Sequence, residues 1–190
     1  MTKMNHPIET YYRGHRFRSR IEARWAVFYD ALDIEFQYEP EGFALPSGWY
    51  LPDFFIPHIK SWIEIKREKP DDKEHLGDRL GELAEATGQQ VFVFVGDIYQ
   101  HYHEALTFEG DGASVYIPGG WDNFRFWCEC PKCHALGIQY SGASNRNCDC
   151  APSWGDQGHD LDWPDGCRSA YSPRLVRAYE RAMQERFAQK

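Results

Sequence analysis

Leu51-Pro52-Asp53-Phe54-Phe55-Ile56-Pro57-His58-Ile59-Lys60-Ser61-Trp62-Ile63-Glu64-Ile65-Lys66 is the stretch whose reading decides the fold. Apolar, aromatic and β-branched residues fill 49–56 and 62–66, and Pro57-His58 separates them, so two short strands folded back as a hairpin are expected. Side chains two apart on a strand share a face. Glu64 and Lys66 therefore point one way while Ile63 and Ile65 enter a core on the other, and the hairpin brings Asp53 onto the neighbouring strand.

Outward from this segment, helix and strand alternate. Ser19 is a natural cap for a helix over 20–31, with Ile21, Trp25, Phe28 and Leu32 recurring on one face. Ile34, Phe36 and Tyr38 then alternate with Glu35, Gln37 and Glu39, a half-buried strand stopped by Pro40. Downstream, a helix over 71–87 buries Leu76, Leu80, Leu83 and Ala84 and ends at Gly88. Val91-Phe92-Val93-Phe94-Val95 has no polar alternation and suits a central strand covered on both faces. The expected order is helix, three strands, helix, strand: an α/β protein with a mixed sheet flanked by helices.

At 190 residues the chain has room for one well-buried core and a small annex. A hydrophobic fraction of 42% and an aromatic fraction of 16% exclude intrinsic disorder. No apolar run approaches the roughly 18 residues of a membrane span, so no membrane partner is expected. Residues 1–10 lack the apolar centre of a signal peptide, which points to a cytoplasmic protein. A net charge of -8 excludes a protein that coats nucleic acid by charge alone. Contact with a polyanion must be local or metal-assisted. Arg13, Arg16, Arg18 and Arg20 interleave with Tyr11, Tyr12, His15 and Phe17, a mixture suited to neutralising phosphates and stacking on bases, or to a plain solvated helix start.

Asp53 and Glu64, converging across adjacent strands, are suited to a hard divalent cation such as Mg²⁺ or Mn²⁺, which takes oxygen ligands and keeps waters for a substrate phosphate. A lysine beside such an ion can orient or deprotonate the attacking water. Simpler readings stand beside this one. Ser19-x-x-Glu22 is also a capping box, Glu64 and Lys66 could be a solvated ion pair, and Asp53 after a proline could be a turn residue.

Pro52-Asp53, ten intervening residues and Glu64-Ile65-Lys66, preceded by Glu22 in Arg20-Ile21-Glu22-Ala23-Arg24, resembles the signature of the PD-(D/E)XK, or restriction-endonuclease-like, nuclease superfamily. The resemblance covers about residues 11–96 and is similar in local sequence to small nucleases of phages and bacteria. It implies a restriction-endonuclease-like core, metal-dependent hydrolysis of phosphodiester bonds, and DNA as the substrate. Carried over, Asp53, Glu64 and the Ile65 backbone carbonyl would hold Mg²⁺, Lys66 would serve the water, and Glu22 would support a second metal or the metal-bound waters.

All six cysteines fall between Cys128 and Cys167. Cys130-x-x-Cys133 followed about 15 residues later by Cys148-x-Cys150 has the spacing of a structural Zn²⁺ site, with Cys128 and Cys167 as alternate ligands. Cys130-Pro131-Lys132-Cys133-His134 also fits a c-type haem attachment, which would need an exported protein and leaves the later pair unexplained. Disulfides are disfavoured in a cytoplasmic chain. Residues 1–120 are thus expected to be the nuclease core, 121–170 a zinc-stabilised annex and 171–190 a C-terminal helix capped by Ser172 and docked through Leu175, Val176, Tyr179 and Phe187. Two other functions stay open, a non-catalytic zinc-containing nucleic-acid-binding or assembly protein and a nuclease specific for junctions or flaps. So does a homodimer or larger protein assembly.

Overall fold

The structure is a computed structural model that describes residues 8–68, 76–98, 103–108, 124–130, 133–140, 143–145 and 172–187. A hairpin leads in: β1 (Thr10–Tyr12) pairs antiparallel with β2 (His15–Phe17) across Arg13 and Gly14, whose φ values of 45° and 85° give the left-handed turn that suits a two-residue hairpin loop. Ser19 then caps α1 (Arg20–Ala31), its hydroxyl accepting from the Glu22 N–H at 3.3 Å. Ala23, Trp25, Ala26, Val27, Phe28 and Tyr29 of this helix are all wholly enclosed, more than one face alone would bury, because the helix is sandwiched.

The expected strand over 34–38 is reduced to β3 (Gln37–Tyr38). Ile34 is buried without a ladder, and Phe36 packs between Tyr29 and Phe54 at centroid distances of 5.6 and 5.7 Å. The run over 49–56 is not one strand. β5 (Gly48–Tyr50) pairs with β4 (Phe43–Leu45) in a small separate sheet, whereas β6 (Phe54–Ile56) belongs to the main one. The break falls at Leu51-Pro52, where proline has no N–H to give a ladder and the chain passes from one sheet to the other.

A 3-10 turn at Pro57–Ile59 folds β6 onto β7 (Ser61–Lys66), the antiparallel hairpin expected. α2 (Leu76–Thr87) crosses over and returns the chain as β8 (Gln90–Val95), parallel to β7 from Ser61↔Gln90 to Lys66↔Val95. Gly88, with φ 65°, closes α2 by giving its N–H to the Ala84 carbonyl. The remaining strands are β9 (His103–Phe108), β10 (Phe124–Glu129), β11 (Leu136–Tyr140) and β12 (Ala143–Asn145). The main sheet has the order β12-β11-β10-β9-β8-β7-β6-β3.

Alternation along β7 and β8 divides the core in two. Ile63, Ile65, Phe92 and Phe94 face α1, and Trp25 stacks on Phe94 at 5.0 Å. Trp62, Val91 and Val93 face α2 and the β4–β5 hairpin. The protein is therefore mixed α/β, its sheet flanked by helices. The compositional change near residue 120 does not end the sheet, because β10 to β12 extend it and Trp127 is buried against Phe28 and Tyr29. Last comes α3 (Pro173–Gln184), capped by Ser172 as expected but buried through Leu175, Ala178, Tyr179 and Ala182, with Val176 only partly covered. Tyr179 lies 4.4 Å from the Phe28 ring, so α3 covers the side of α1 that the sheet leaves open. Among the described residues no helix is long and apolar enough to cross a membrane.

Candidate active site

Asp53, Glu64 and Lys66 meet at one end of β7, with Arg18 on Asp53 and Glu22 near enough for its charge to act on it. Asp53 lies just before β6, where the Glu39 N–H donates to its carbonyl at 2.9 Å, and its backbone N–H in turn donates to Glu64 Oε2 at 3.3 Å. Its own carboxylate reaches back, and Oδ2 accepts the Ile65 N–H at 2.8 Å. These reciprocal bonds lock the two acids together across the hairpin. Both are buried, at 3% exposure each. Lys66 Nζ donates to Glu64 Oε1 at 2.6 Å from a partly open position at the strand end.

Glu22 enters from the first turn of α1. Ser19 Oγ donates to its Oε1 at 2.5 Å, and its Oε2 accepts from the Tyr38 hydroxyl at 2.6 Å and the Arg18 N–H at 3.2 Å. The capping interaction is therefore real, though the returning carboxylate takes the Arg18 N–H rather than that of Ser19. Capping and site membership coexist, since the Glu22 charge is also felt at Asp53.

Burial, above all, pushes the Asp53 carboxyl well above its ordinary 3.8, and the charges of Glu64 and Glu22 push it further, while the Ile65 N–H and Lys66 pull it back. Lys66 moves upward as well: burial, the largest single influence, works against its charge, but the charge and hydrogen bond of Glu64 together with the charge of Asp53 overcome it. Tyr50, buried at the end of β5, faces Glu64. Burial and then the Glu64 charge raise its ionisation far above the ordinary tyrosine value. Such crowding of buried acids is costly without a cation, and carboxylate oxygens are the donors that Mg²⁺ or Mn²⁺ takes, one or two per ion with water completing the shell. Asp53 and Glu64 fit that requirement. Among the described residues, no three acid, histidine or cysteine side chains converge as a ready-made metal cluster.

The arginine segment divides. Arg18 joins the site, its Nη2 donating to Asp53 Oδ1 at 2.8 Å and its Nε forming an ion pair with Glu39. Arg13 and Arg16 stand apart on the β1–β2 hairpin, paired with Asp30 at 3.2 Å and Glu9 at 3.7 Å, and Arg20 is exposed on the first turn of α1. Tyr38, Glu39 and Tyr50 were not among the sequence candidates. Their spacing to Asp53 has no motif, and only the β3–β6 and β4–β5 pairings bring them in.

Of the cysteines, Cys130 and Cys133 share the turn between β10 and β11. The Cys133 N–H donates to Cys130 Sγ at 3.5 Å, the His134 N–H to the Cys130 carbonyl at 2.8 Å, and the Cys130 N–H to Ala135 O at 2.8 Å. Cys130 is buried and Cys133 exposed. Cys128 sits on β10, its thiol directed to the Gly137 carbonyl at 3.5 Å. Cys148, Cys150 and Cys167 lie outside the described residues. Comparison with family models, curated proteins and solved structures returns no match.

Proposed function

We propose that the chain is a divalent-metal-dependent nuclease of the PD-(D/E)XK kind, with a restriction-endonuclease-like core and DNA as its substrate. One observation carries the reading: Asp53 and Glu64, both buried, are interlocked across the β6–β7 hairpin with Lys66 in contact on the same face. A surface ion pair or a turn aspartate would need no such enclosure.

Mg²⁺ bound there would supply charge neutralisation for the phosphate and a more acidic water. The protein's part is positional. Asp53 and Glu64 would hold the ion, aided by the Ile65 carbonyl, while the Ile65 N–H fixes the Asp53 carboxylate. Lys66 Nζ, held in its charged form by Glu64 at the open strand end, would orient the attacking water by donating a hydrogen bond to it. Glu22, anchored by Ser19 and Tyr38, adds negative charge beside the pair. A structural Zn²⁺ held by Cys130 and Cys133 with Cys148 and Cys150 belongs to the same proposal. Its support is the Cys130–Cys133 turn, in which a backbone N–H already points at sulfur. The deciding experiment incubates the protein with linear, nicked, single-stranded and branched DNA and with RNA, in Mg²⁺ or Mn²⁺ against a chelator. Metal-dependent cleavage that disappears in Asp53→Asn is expected. No cleavage of any substrate would refute the reading in favour of a zinc-containing binding or assembly protein.

A further inference from the structure

Arg18 is the one cation in direct contact with Asp53 among the described residues, and its attachment is unequal along its length. The backbone is pinned, its N–H shared between Glu22 Oε2 at 3.2 Å and the Tyr38 hydroxyl at 3.0 Å. The side chain is held only by its tip, by Glu39 at Nε and by Asp53 at Nη2, and remains 53% exposed while the Asp53 carboxylate it reaches is only 4% exposed. The guanidinium thus enters the acid pair from the solvent side, at the mouth of the site, with Glu39 as a second anchor on the rim.

A buried carboxylate beside two others needs a positive charge. Lys66 pairs with Glu64 and Arg18 with Asp53, so a divalent ion approaching Asp53 Oδ1 would have to compete with the guanidinium for that oxygen. Taking the metal-site reading above as its basis, we propose that Arg18 is a resident counter-ion that the catalytic metal displaces from Asp53, and that the released guanidinium, still tethered near Glu39, then takes the substrate phosphate. Arg18 is a positioning residue in the first state and a phosphate ligand in the second. A guanidinium is suited to both, because its forked donors match carboxylate and phosphate oxygens equally well. Metal would thereby be bound before substrate is gripped.

The two halves predict effects of opposite sign in one variant, which a merely structural arginine would not produce. Metal-stripped full-length protein is titrated with Mn²⁺ by calorimetry, and duplex DNA binding is followed by anisotropy in Ca²⁺. Arg18→Gln should bind Mn²⁺ about tenfold more tightly than wild type, having lost about 1.4 kcal/mol of competition. It should bind DNA more weakly, with a salt slope smaller by about 0.9. Arg18→Lys keeps the charge without the fork, should fall between, and serves if the glutamine variant does not fold. Equal or weaker Mn²⁺ affinity in a folded variant overturns the competition while leaving the metal site intact, provided Asp53→Asn loses Mn²⁺. Tighter Mn²⁺ binding with unchanged DNA affinity overturns the transfer to phosphate. If wild type and variants alike fail to bind Mn²⁺, the metal-site reading falls and this proposal with it.

Discussion

Glu64→Gln separates chemistry from architecture at a single atom pair. The substitution is nearly isosteric, keeps an acceptor for the Asp53 N–H, and removes the negative charge that Lys66 contacts at 2.6 Å. Losing that pairing at a lysine still about one third exposed costs about 1 kcal/mol. Against it stands relief of the Glu64 repulsion that helps raise the Asp53 carboxyl, which acts in the opposite direction. The melting temperature in chelator should therefore fall by no more than about 4 °C, taking 2–4 °C per kcal/mol for a chain of this size. Catalysis at the proposed metal site has no such opposing effect. If Asp53 and Glu64 hold the metal as proposed, losing one of the two charges and leaving Lys66 without its partner should raise the barrier by at least about 4 kcal/mol, or roughly a thousandfold in rate. Calorimetric melting and a single-turnover cleavage assay on the same preparation test both numbers. Cleavage within tenfold of wild type would remove Glu64 from the active site. A melting temperature lowered by about 10 °C or more would show that the Glu64–Lys66 pair holds the fold together.

Other expectations rest on separate parts of the molecule. In chelator, the raised Asp53 carboxyl favours the protonated folded form, so wild type measured relative to Asp53→Asn should lose stability as pH rises from the ordinary 3.8 toward the raised value; denaturant midpoints across that range check the sign, and a rising difference would contradict it. Phe28→Ala empties a site enclosed by Trp25, Tyr179 and Trp127 and should cost about 3–5 kcal/mol in denaturant melts. Elemental analysis should find about one zinc per chain, reduced in Cys130→Ser, and zinc-free wild type with all thiols reduced would dismiss the site.

What was legible in the sequence follows from periodicity. Trp25 and Phe28, the pair Ile63 and Ile65, and Leu76, Leu80, Leu83 and Ala84 repeat at helix or strand spacing and bury as that spacing requires. Asp53, Glu64 and Lys66 could be brought together because a hairpin and a two-residue alternation are local facts. Residues 49–56 misled for the same local reason: an unbroken apolar run does not disclose that its two halves belong to different sheets. The β1–β2 hairpin was hidden because Arg13-Gly14 is not the usual Asn-Gly, and its arginines drew the reading toward charge. β10 to β12 were hidden by the cysteines, which drew the reading of 121–170 toward metal ligands instead of strands. The link from Arg18 to Asp53 spans 35 residues and depends on β3 lying beside β6, which no spacing rule supplies.

The docking of α3 on α1 also has a temporal side. Arg174, in its first turn, gives a hydrogen bond of 2.6 Å to the Leu32 carbonyl, 142 residues earlier in the chain. A ribosome adding about 5–20 residues per second takes roughly 7 to 28 s to cover that interval. Throughout it Phe28 and Trp25 are already made while Tyr179 is not. Over that interval the nascent chain carries these aromatic side chains without the cover that α3 gives them in the folded protein.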